Sequence, residues 1–99
     1  MKNLPIKTTA NARADLDELW NSIAPQSLAS AEKLMARLDY RIRSLAQFPE
    51  TGISRPEIYE NLRLLVEGNY LILYLLRDRI VIILRVVHGA RDLTRVNLF

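Results

Sequence analysis

The sequence predicts an α+β fold, in which a hairpin of two helices packs on one face of a small, mainly antiparallel sheet in the order β-α-α-β-β-β. Residues 62–91 contain three runs rich in β-forming residues, separated by two short polar breaks, as is typical of an antiparallel meander. Residues 12–45 contain apolar residues at helical spacing on both sides of Pro25. Because the chain has 99 residues, we expect residues 1–99 to form one domain.

An edge strand is expected over residues 4–8. Apolar or β-branched residues alternate there with Pro5 and Lys7. Because Pro5 has no backbone N–H to donate, we place this segment at the border of the sheet rather than in its centre.

Two helices are predicted to follow this strand. The first helix begins near Ala12, after a cap at Thr9 or Asn11, and it stops at Pro25. Ser27 can cap the second helix. The apolar stripe of the second helix comprises Leu28, Ala31, Leu34, Met35, Leu38, Ile42 and Leu45. Because only a few residues separate the helices, we expect them to pair as an antiparallel hairpin.

Two segments have no predicted regular structure. Residues 53–61 cross from the second helix to the meander, and loops of this length carry function more often than short loops do. The tail at residues 93–99 is too short for a prediction, so a last strand, a helical turn and disorder all remain open.

The meander contains one well-marked turn, at Gly68 and Asn69. Glycine at the first central position of a two-residue loop supplies the positive φ that a type II′ turn needs. The second break lies around Asp78 and has no such glycine.

The strands of the meander are apolar on both faces, whereas a sheet with one solvated face alternates apolar and polar residues. The helices can cover one face only. The row left over comprises Leu65, Leu71, Leu73, Leu75, Val81, Ile83 and Val87, or their neighbours of opposite parity. Four or five such side chains represent a gross gain on the order of 10 kcal/mol for whatever covers them. The tail with the 53–61 loop is one candidate cover, but the size of the row favours a partner chain.

Composition narrows the class of protein. Hydrophobic residues make up 49% and charged residues 25% of the chain, which excludes disorder as the default. The chain has no cysteine, so neither a disulfide nor a thiolate metal site is available, and we expect no metal and no cofactor. No signal peptide or membrane span is visible, which predicts a cytoplasmic protein without membrane contact. The net charge of +3 is mild.

Five segments carry a resemblance to a known family. They are residues 14–20 (ADLDELW), 45–52 (LAQFPETG), 61–63 (NLR), 68–74 (GNYLILY) and 85–92 (RVVHGARD). In this order and spacing, they resemble the RelE/ParE superfamily of bacterial toxins, and the ParE branch more closely than the RelE branch.

The resemblance implies the toxin of a type II toxin–antitoxin system, neutralised by a ParD-like antitoxin whose flexible C-terminal part wraps over the toxin's groove and sheet. Members of the ParE branch are associated with inhibition of DNA gyrase, and those of the RelE branch with cleavage of mRNA on the ribosome. We therefore expect a non-enzymatic toxin that inhibits DNA gyrase and meets DNA only through its antitoxin. A RelE-type endoribonuclease and a non-toxic interaction module are the alternatives.

The residues expected to bind these partners lie on the meander and just beyond it. Arginine suits bidentate contact with carboxylates, although a strand arginine can also extend to solvent from an edge position. The expected antitoxin-binding residues are Arg63, Leu65, Leu71, Leu73, Leu75, Val81, Ile83 and Arg85. The expected target-binding residues are His88, Arg91 and Arg95.

Catalysis is not expected. Cleavage of RNA through the 2′-hydroxyl needs a general base, a general acid and cations. Arginine supplies a cation but does not give up its proton, and no lysine follows Lys33. A nuclease would have to rely on His88 with Arg63 and Arg85, and on Glu50, Glu57 or Glu60 as the partner of the histidine, which no spacing supports. Moreover, His88 is followed by glycine rather than by the tyrosine of relatives that cleave RNA. A hydrogen bond to Asp92 is the simpler role for this histidine.

Overall fold

The computed structural model describes residues 3–99, and it confirms the predicted α+β fold. The elements are β1 (Ile6–Thr8), α1 (Ala10–Ile23), α2 (Leu28–Ser44), β2 (Ile53–Ser54), β3 (Leu62–Glu67), β4 (Tyr70–Arg77), β5 (Ile80–His88) and a 3₁₀ turn (Leu93–Arg95). The five strands form one sheet in the order β1-β5-β4-β3-β2, in which β1 is parallel to β5 and the other pairs are antiparallel. Met1 and Lys2, which the domain prediction included, lie outside the described residues.

The helices begin where side-chain caps are available. The Thr9 hydroxyl accepts a hydrogen bond from the Ala12 backbone N–H at 3.1 Å and donates one to the Leu84 carbonyl at 3.0 Å. Thr9, not Asn11, is therefore the cap, and α1 starts two residues earlier than predicted. The Ser27 hydroxyl caps α2 by accepting from the Ser30 N–H at 3.1 Å, as expected.

The chain forms one strand that the sequence did not predict. Residues Ile53 and Ser54 pair with Leu64 and Arg63, and they form the outermost strand β2. Two residues are too few to show the alternation of apolar and polar side chains by which a strand is recognised. The segment predicted to be irregular is therefore shortened from its N-terminal side.

A β-bulge in β5 changes which of its side chains share a face of the sheet. Leu73 pairs with Arg85, whereas the next residue, Tyr74, pairs with Ile83, so Leu84 has no partner on β4. The extra residue reverses the facing of the side chains that follow it on β5. Val87 therefore faces away from Val81 and Ile83. Because Leu65 pairs with Ile72 and Ile83 with Tyr74, the strand register divides the rest of the predicted row. Leu65, Val81 and Ile83 pack under the helices, and Leu71, Leu73, Leu75 and Val87 face the other side.

Two hydrophobic clusters lie on opposite sides of the sheet. The cluster beneath the helices contains Ala12, Leu34, Leu38, Ile42, Leu45, Leu65, Ile72, Tyr74, Val81, Ile83 and Val86. The second cluster contains Leu62, Leu64, Leu73, Leu75, Leu84, Val87 and Val96, with Ile58, Leu71, Ile82, Leu93 and Leu98 packed against it. The second cluster joins the sheet to the tail and to the loop before β3.

The chain's own tail covers much of the face turned away from the helices. Leu93, Val96 and Leu98 pack there, and Leu73 and Leu75 are at most 1% exposed. The expectation that a partner chain rather than the tail covers this row is therefore wrong for the centre of the face, where the tail lies. The error arises because a seven-residue tail with three spaced aliphatic residues shows no recognisable period, although it is long enough to supply a lid.

Candidate partner-binding surface

The face of the sheet opposite the helices, with the loop and tail that lie on it, is called here the distal face. The tail covers its centre, but its border exposes four large apolar side chains. Ile53 is 52% exposed, Val66 50%, Tyr59 36% and Phe99 61%. Across residues 3–99, seven large hydrophobic side chains are exposed, so more than half of them border this one face.

The strand register explains two of these positions. Ile53 pairs with Leu64, and Val66 lies two residues beyond Leu64 on β3, so both side chains point to the distal face. Val66 also pairs with Leu71, which is half-buried beside it. The border on this side of the sheet is therefore a continuous apolar strip.

The other two positions come from the loop and the tail. The rings of Tyr59 and Phe99 pack against each other, with their centroids 5.0 Å apart. Their neighbours Ile58 and Leu98 pack against the second cluster, which fixes where the two rings lie. Apolar side chains that are grouped in this way, rather than scattered singly, mark interaction sites on monomeric proteins.

Arg85 is engaged within the chain. Its Nε and Nη2 donate to the two carboxylate oxygens of Asp15 at 2.7 and 2.8 Å, and its Nη1 donates to the Asn97 carbonyl at 2.7 Å. The same carboxylate accepts a hydrogen bond from the Val86 backbone N–H at 2.9 Å. It thus provides an acceptor at a position where β5 extends past the end of its neighbouring strand β1. The hydrogen bonds that Arg85 donates to the Asp15 carboxylate raise the pKa of the guanidinium above its ordinary value. Arg85 thus ties α1, β5 and the tail together.

Arg63 is engaged in a similar way at the other edge of the sheet. Its Nη1 donates to the carbonyls of Glu50 and Gly52 at 3.1 and 2.8 Å. Beside it, the Tyr74 hydroxyl donates to the Pro49 carbonyl at 2.7 Å and accepts from the Gly52 N–H at 2.9 Å. Burial raises the pKa of the Tyr74 hydroxyl. These contacts fasten the loop that follows α2 to the sheet.

Position 52 of this loop requires glycine. A Cβ there would lie 2.7 Å from both Cε1 and the hydroxyl oxygen of Tyr74. The close approach of the backbone is what allows the tyrosine hydroxyl to reach the loop.

The predicted target-binding residues lie at and beyond the end of β5. His88, Arg91 and Arg95 are all exposed. The His88 Nδ1 accepts the Ala90 backbone N–H at 3.1 Å, and the ring meets Tyr70 edge-on with centroids 5.6 Å apart. His88 and Arg91 line a cavity of about 340 Å³ between β5 and α1.

The expected pairing of His88 with Asp92 is wrong. Asp92 instead caps the 3₁₀ turn, where it accepts from the Thr94 N–H at 3.0 Å and from the Thr94 hydroxyl at 2.7 Å. These bonds lower the pKa of the Asp92 carboxyl. An aspartate commonly accepts hydrogen bonds from the residue two positions later in the chain. In this protein, the bonds to Thr94 take the place of the expected bond to His88.

The three residues that a nuclease would have needed do not come together. Arg63 and Arg85 lie on β3 and β5 with β4 between them, which is about 10 Å at the usual strand spacing. Both guanidinium groups are occupied by the chain's own acceptors. Within the described part of the chain, no group of three histidines or acidic residues is placed to hold a metal ion.

The same part of the chain contains no helix that combines the length and apolar character needed to cross a membrane.

The exposed apolar border is the part of the site that sequence reasoning missed. Ile53 and Tyr59 lie in the segment expected to carry function, but periodicity does not show whether an apolar residue there is buried or exposed. Val66 precedes the predicted turn at Gly68, and its position at the end of a strand was the one available signal.

Comparison with known proteins assigns the class. The fold of two helices on a five-stranded mixed sheet is shared with two solved structures of toxin–antitoxin systems. The family model for the ParE toxin of the type II toxin–antitoxin system parDE matches residues 6–93. The chain therefore belongs to the ParE toxin family. No curated protein sequence gives a significant match.

Two solved structures illustrate the shared fold. The structure of a chromosomal ParDE toxin–antitoxin system from P. aeruginosa superposes with a TM-score of 0.74 at 22% identity, covering 86% of this chain and 95% of that one. The RelBE2 toxin–antitoxin complex from Mycobacterium tuberculosis superposes with a TM-score of 0.55 at 24% identity, covering 87% of this chain and 98% of that one. At these identities, the likeness concerns the fold.

Proposed function

We propose that this ParE-family protein is a toxin that acts by binding, that it inhibits DNA gyrase, and that a ParD-like antitoxin neutralises it in the cytoplasm. The observation that carries the antitoxin part is the apolar border of the distal face, at Ile53, Tyr59, Val66 and Phe99. A partner that covers this border buries side chains that the chain itself leaves half or more in water, apart from Tyr59 at 36%. The two solved relatives are described as toxin–antitoxin systems, which supports such a partner.

The residues proposed for antitoxin binding are revised by their positions. Leu71 stays in the proposal because it is half-buried beside Val66 on the distal face. Leu73 and Leu75 contribute from beneath the tail, while Leu65, Val81 and Ile83 support the surface from the helix side. Arg85 acts by holding the tail in place, since its Nε, Nη1 and Nη2 all donate to oxygens of the chain itself. Arg63 holds the loop in place through its Nη1.

Action by binding is supported by the separation of the candidate catalytic residues. A general base and a general acid need to lie within hydrogen-bonding reach of one reacting group. His88, Arg91 and Arg95 are exposed at one end of the molecule, and we propose them as contacts to the target. Contact with DNA arises through the antitoxin in this proposal.

A RelE-type endoribonuclease is the alternative function. It is favoured by the exposure of His88 next to Arg91 at the mouth of the cavity between β5 and α1. In that case, His88, the one histidine of the sequence, is the general acid or base of the site.

Two assays on the purified protein separate these functions. A binding toxin inhibits DNA supercoiling by gyrase and leaves translated mRNA intact in primer extension. A nuclease cleaves the mRNA, and the His88→Ala variant loses that cleavage. Expression of the protein alone in a bacterium tests whether it is toxic at all: unaffected growth at verified soluble levels would leave only a non-toxic interaction module.

A further inference from the structure

Both hairpin turns of the meander require residues with positive φ, but they use different residue types for it. The β3–β4 turn places Gly68 in the left-handed region, with φ of 57°. The β4–β5 turn is also a two-residue loop, since Arg77 pairs with Ile80. Its two central residues, Asp78 and Arg79, both have positive φ, at 53° and 59°, as in a type I′ turn.

Arg79 is the residue that does not suit this turn. Type I′ turns favour Asn-Gly or Asp-Gly, because glycine adopts positive φ without a steric penalty from Cβ. Aspartate tolerates the left-handed region through its short polar side chain, so Asp78 is ordinary there. Arginine gains nothing local from this conformation. A strained residue at a turn indicates that its side chain serves something other than the turn.

The fold makes no use of the two arginines at this tip. Arg77 and Arg79 are exposed, and among residues 3–99 neither takes part in an ion pair. Other exposed arginines of the described chain do pair, for example Arg43 with Asp39 at 2.9 Å. The tip therefore presents two free guanidinium groups on a rigid hairpin, one of them at a cost in backbone strain.

We propose that this tip, residues 77–79, binds an acidic surface of a second protein. This inference rests on the proposed function, and the acidic protein is the target that the toxin inhibits. Guanidinium groups bind carboxylates through paired hydrogen bonds, which a rigid hairpin orients in advance. Asp78 lies between the two arginines, and its negative charge disfavours the phosphate backbone of a nucleic acid. A protein surface can instead place a cationic side chain opposite Asp78.

The tip and the Val66 end of the apolar border can be tested separately because they are far apart. Val66 pairs with Leu71 near the start of β4, and Arg77 ends that strand. Six residues of extended chain separate Leu71 from Arg77, which is about 20 Å. A substitution at the tip therefore leaves the contacts around Val66 unchanged.

The decisive variant is Arg79→Gly, because the inference predicts opposite changes in stability and toxicity. Glycine relieves the backbone strain, so the Tm of the purified protein rises. It also removes one guanidinium, so about tenfold more soluble protein is needed for the same growth arrest. Arg79→Lys keeps a charge and the strain, and retains most of the toxicity without raising the Tm. Arg77→Ser lowers toxicity with the Tm unchanged.

The matched control is Arg13→Ser, which removes another exposed arginine that forms no ion pair among the described residues. It leaves growth arrest as in the wild type. The antitoxin encoded next to this gene binds Arg79→Gly and the wild type with equal affinity in isothermal titration calorimetry.

Three results for the Arg79→Gly variant would overturn the inference. An Arg79→Gly variant as toxic as the wild type shows that the tip contacts no target. Weakened antitoxin binding by this variant assigns the tip to the antitoxin interface instead. Binding of a short DNA duplex that is lost in the variant assigns it to nucleic acid. Failure of the wild type to arrest growth refutes the proposed function itself, and the target contact with it.

Discussion

The ion pair between Asp15 and Arg85 is the contact whose loss should destabilise the fold most for a single polar substitution. Asp15 accepts three hydrogen bonds, two from the Arg85 guanidinium and one from the Val86 N–H, at 2.7, 2.8 and 2.9 Å. The two side chains are 10% and 15% exposed. Asp15→Ala removes all three hydrogen bonds and leaves a cation and a backbone donor with little access to water.

The expected cost follows from this burial. Breaking a buried ion pair by removing one partner costs about 3–5 kcal/mol, because the remaining charge is left uncompensated. Some contact with solvent remains, so we expect about 3 kcal/mol, at the lower end of the range. That is a large share of the ~5–15 kcal/mol by which a domain of this kind is stable. Arg85→Met costs less, since the Asp15 carboxylate keeps the hydrogen bond from the Val86 N–H.

Urea denaturation of four proteins measures the pair directly: the wild type, each single variant and the double variant. The free energy of unfolding of each is taken from the linear dependence on urea. We expect a coupling energy of about 1.5–3 kcal/mol between the two positions, as for hydrogen bonds between charged groups. A coupling energy below about 0.5 kcal/mol would mean that the pair behaves like an exposed surface ion pair, and would refute the reasoning.

Three further outcomes follow from the other edge of the sheet and from the core. Burial raises the pKa of Tyr74, so the folded state keeps the hydroxyl proton that the unfolded state releases near pH 10. The free energy of unfolding is therefore unaffected by this group below about pH 10, and above it falls by up to about 1.4 kcal/mol per pH unit. Tyr74→Phe should remove that part of the alkaline slope in pH-dependent urea melts; an unchanged slope contradicts the assignment. Gly52→Ala forces a Cβ against Tyr74 and should cost about 1–3 kcal/mol, whereas no loss would mean that the loop moves freely. Leu38→Ala, at 1% exposure under the sheet, should cost about 2–5 kcal/mol, and a loss below 1 kcal/mol would contradict its place in the core.

Much of the fold follows from local signals in the sequence. Ser27 and Pro25 mark helix ends through capping and a missing donor, and Gly68 marks a turn through its positive φ. Each of these residues acts on its immediate neighbours in the chain. Their effect is therefore readable without knowledge of the tertiary structure.

The assignment of sheet faces could not be read in the same way. It depends on which residues of β3, β4 and β5 pair, and on the extra residue Leu84, which is one aliphatic residue in an aliphatic run. A shift of one residue turns every side chain to the opposite face. For this reason Leu65, Val81 and Ile83 were grouped with residues that lie across the sheet from them.

The roles of the charged residues were the hardest to predict. Arg63 and Arg85 bind acceptors 11 and 70 residues away in the chain, in a loop and in α1, and no spacing rule connects such positions. The position of the tail was equally hard to predict, because its three aliphatic residues are buried only through contact with a distant part of the sheet. Long-range contacts of this kind appear only when the fold is known.

The central claim is that a partner neutralises this toxin by packing on the apolar border of the distal face. Its most direct test is the Kd of the adjacent gene's antitoxin for Ile53→Asp/Val66→Asp, set against Leu28→Asp/Phe48→Asp, which places the same two charges at equally exposed apolar residues outside this border. The account predicts binding weaker by tenfold or more for the border variant and unchanged binding for the control, with both variants folded by circular dichroism. Equal affinity for wild type and border variant would contradict it.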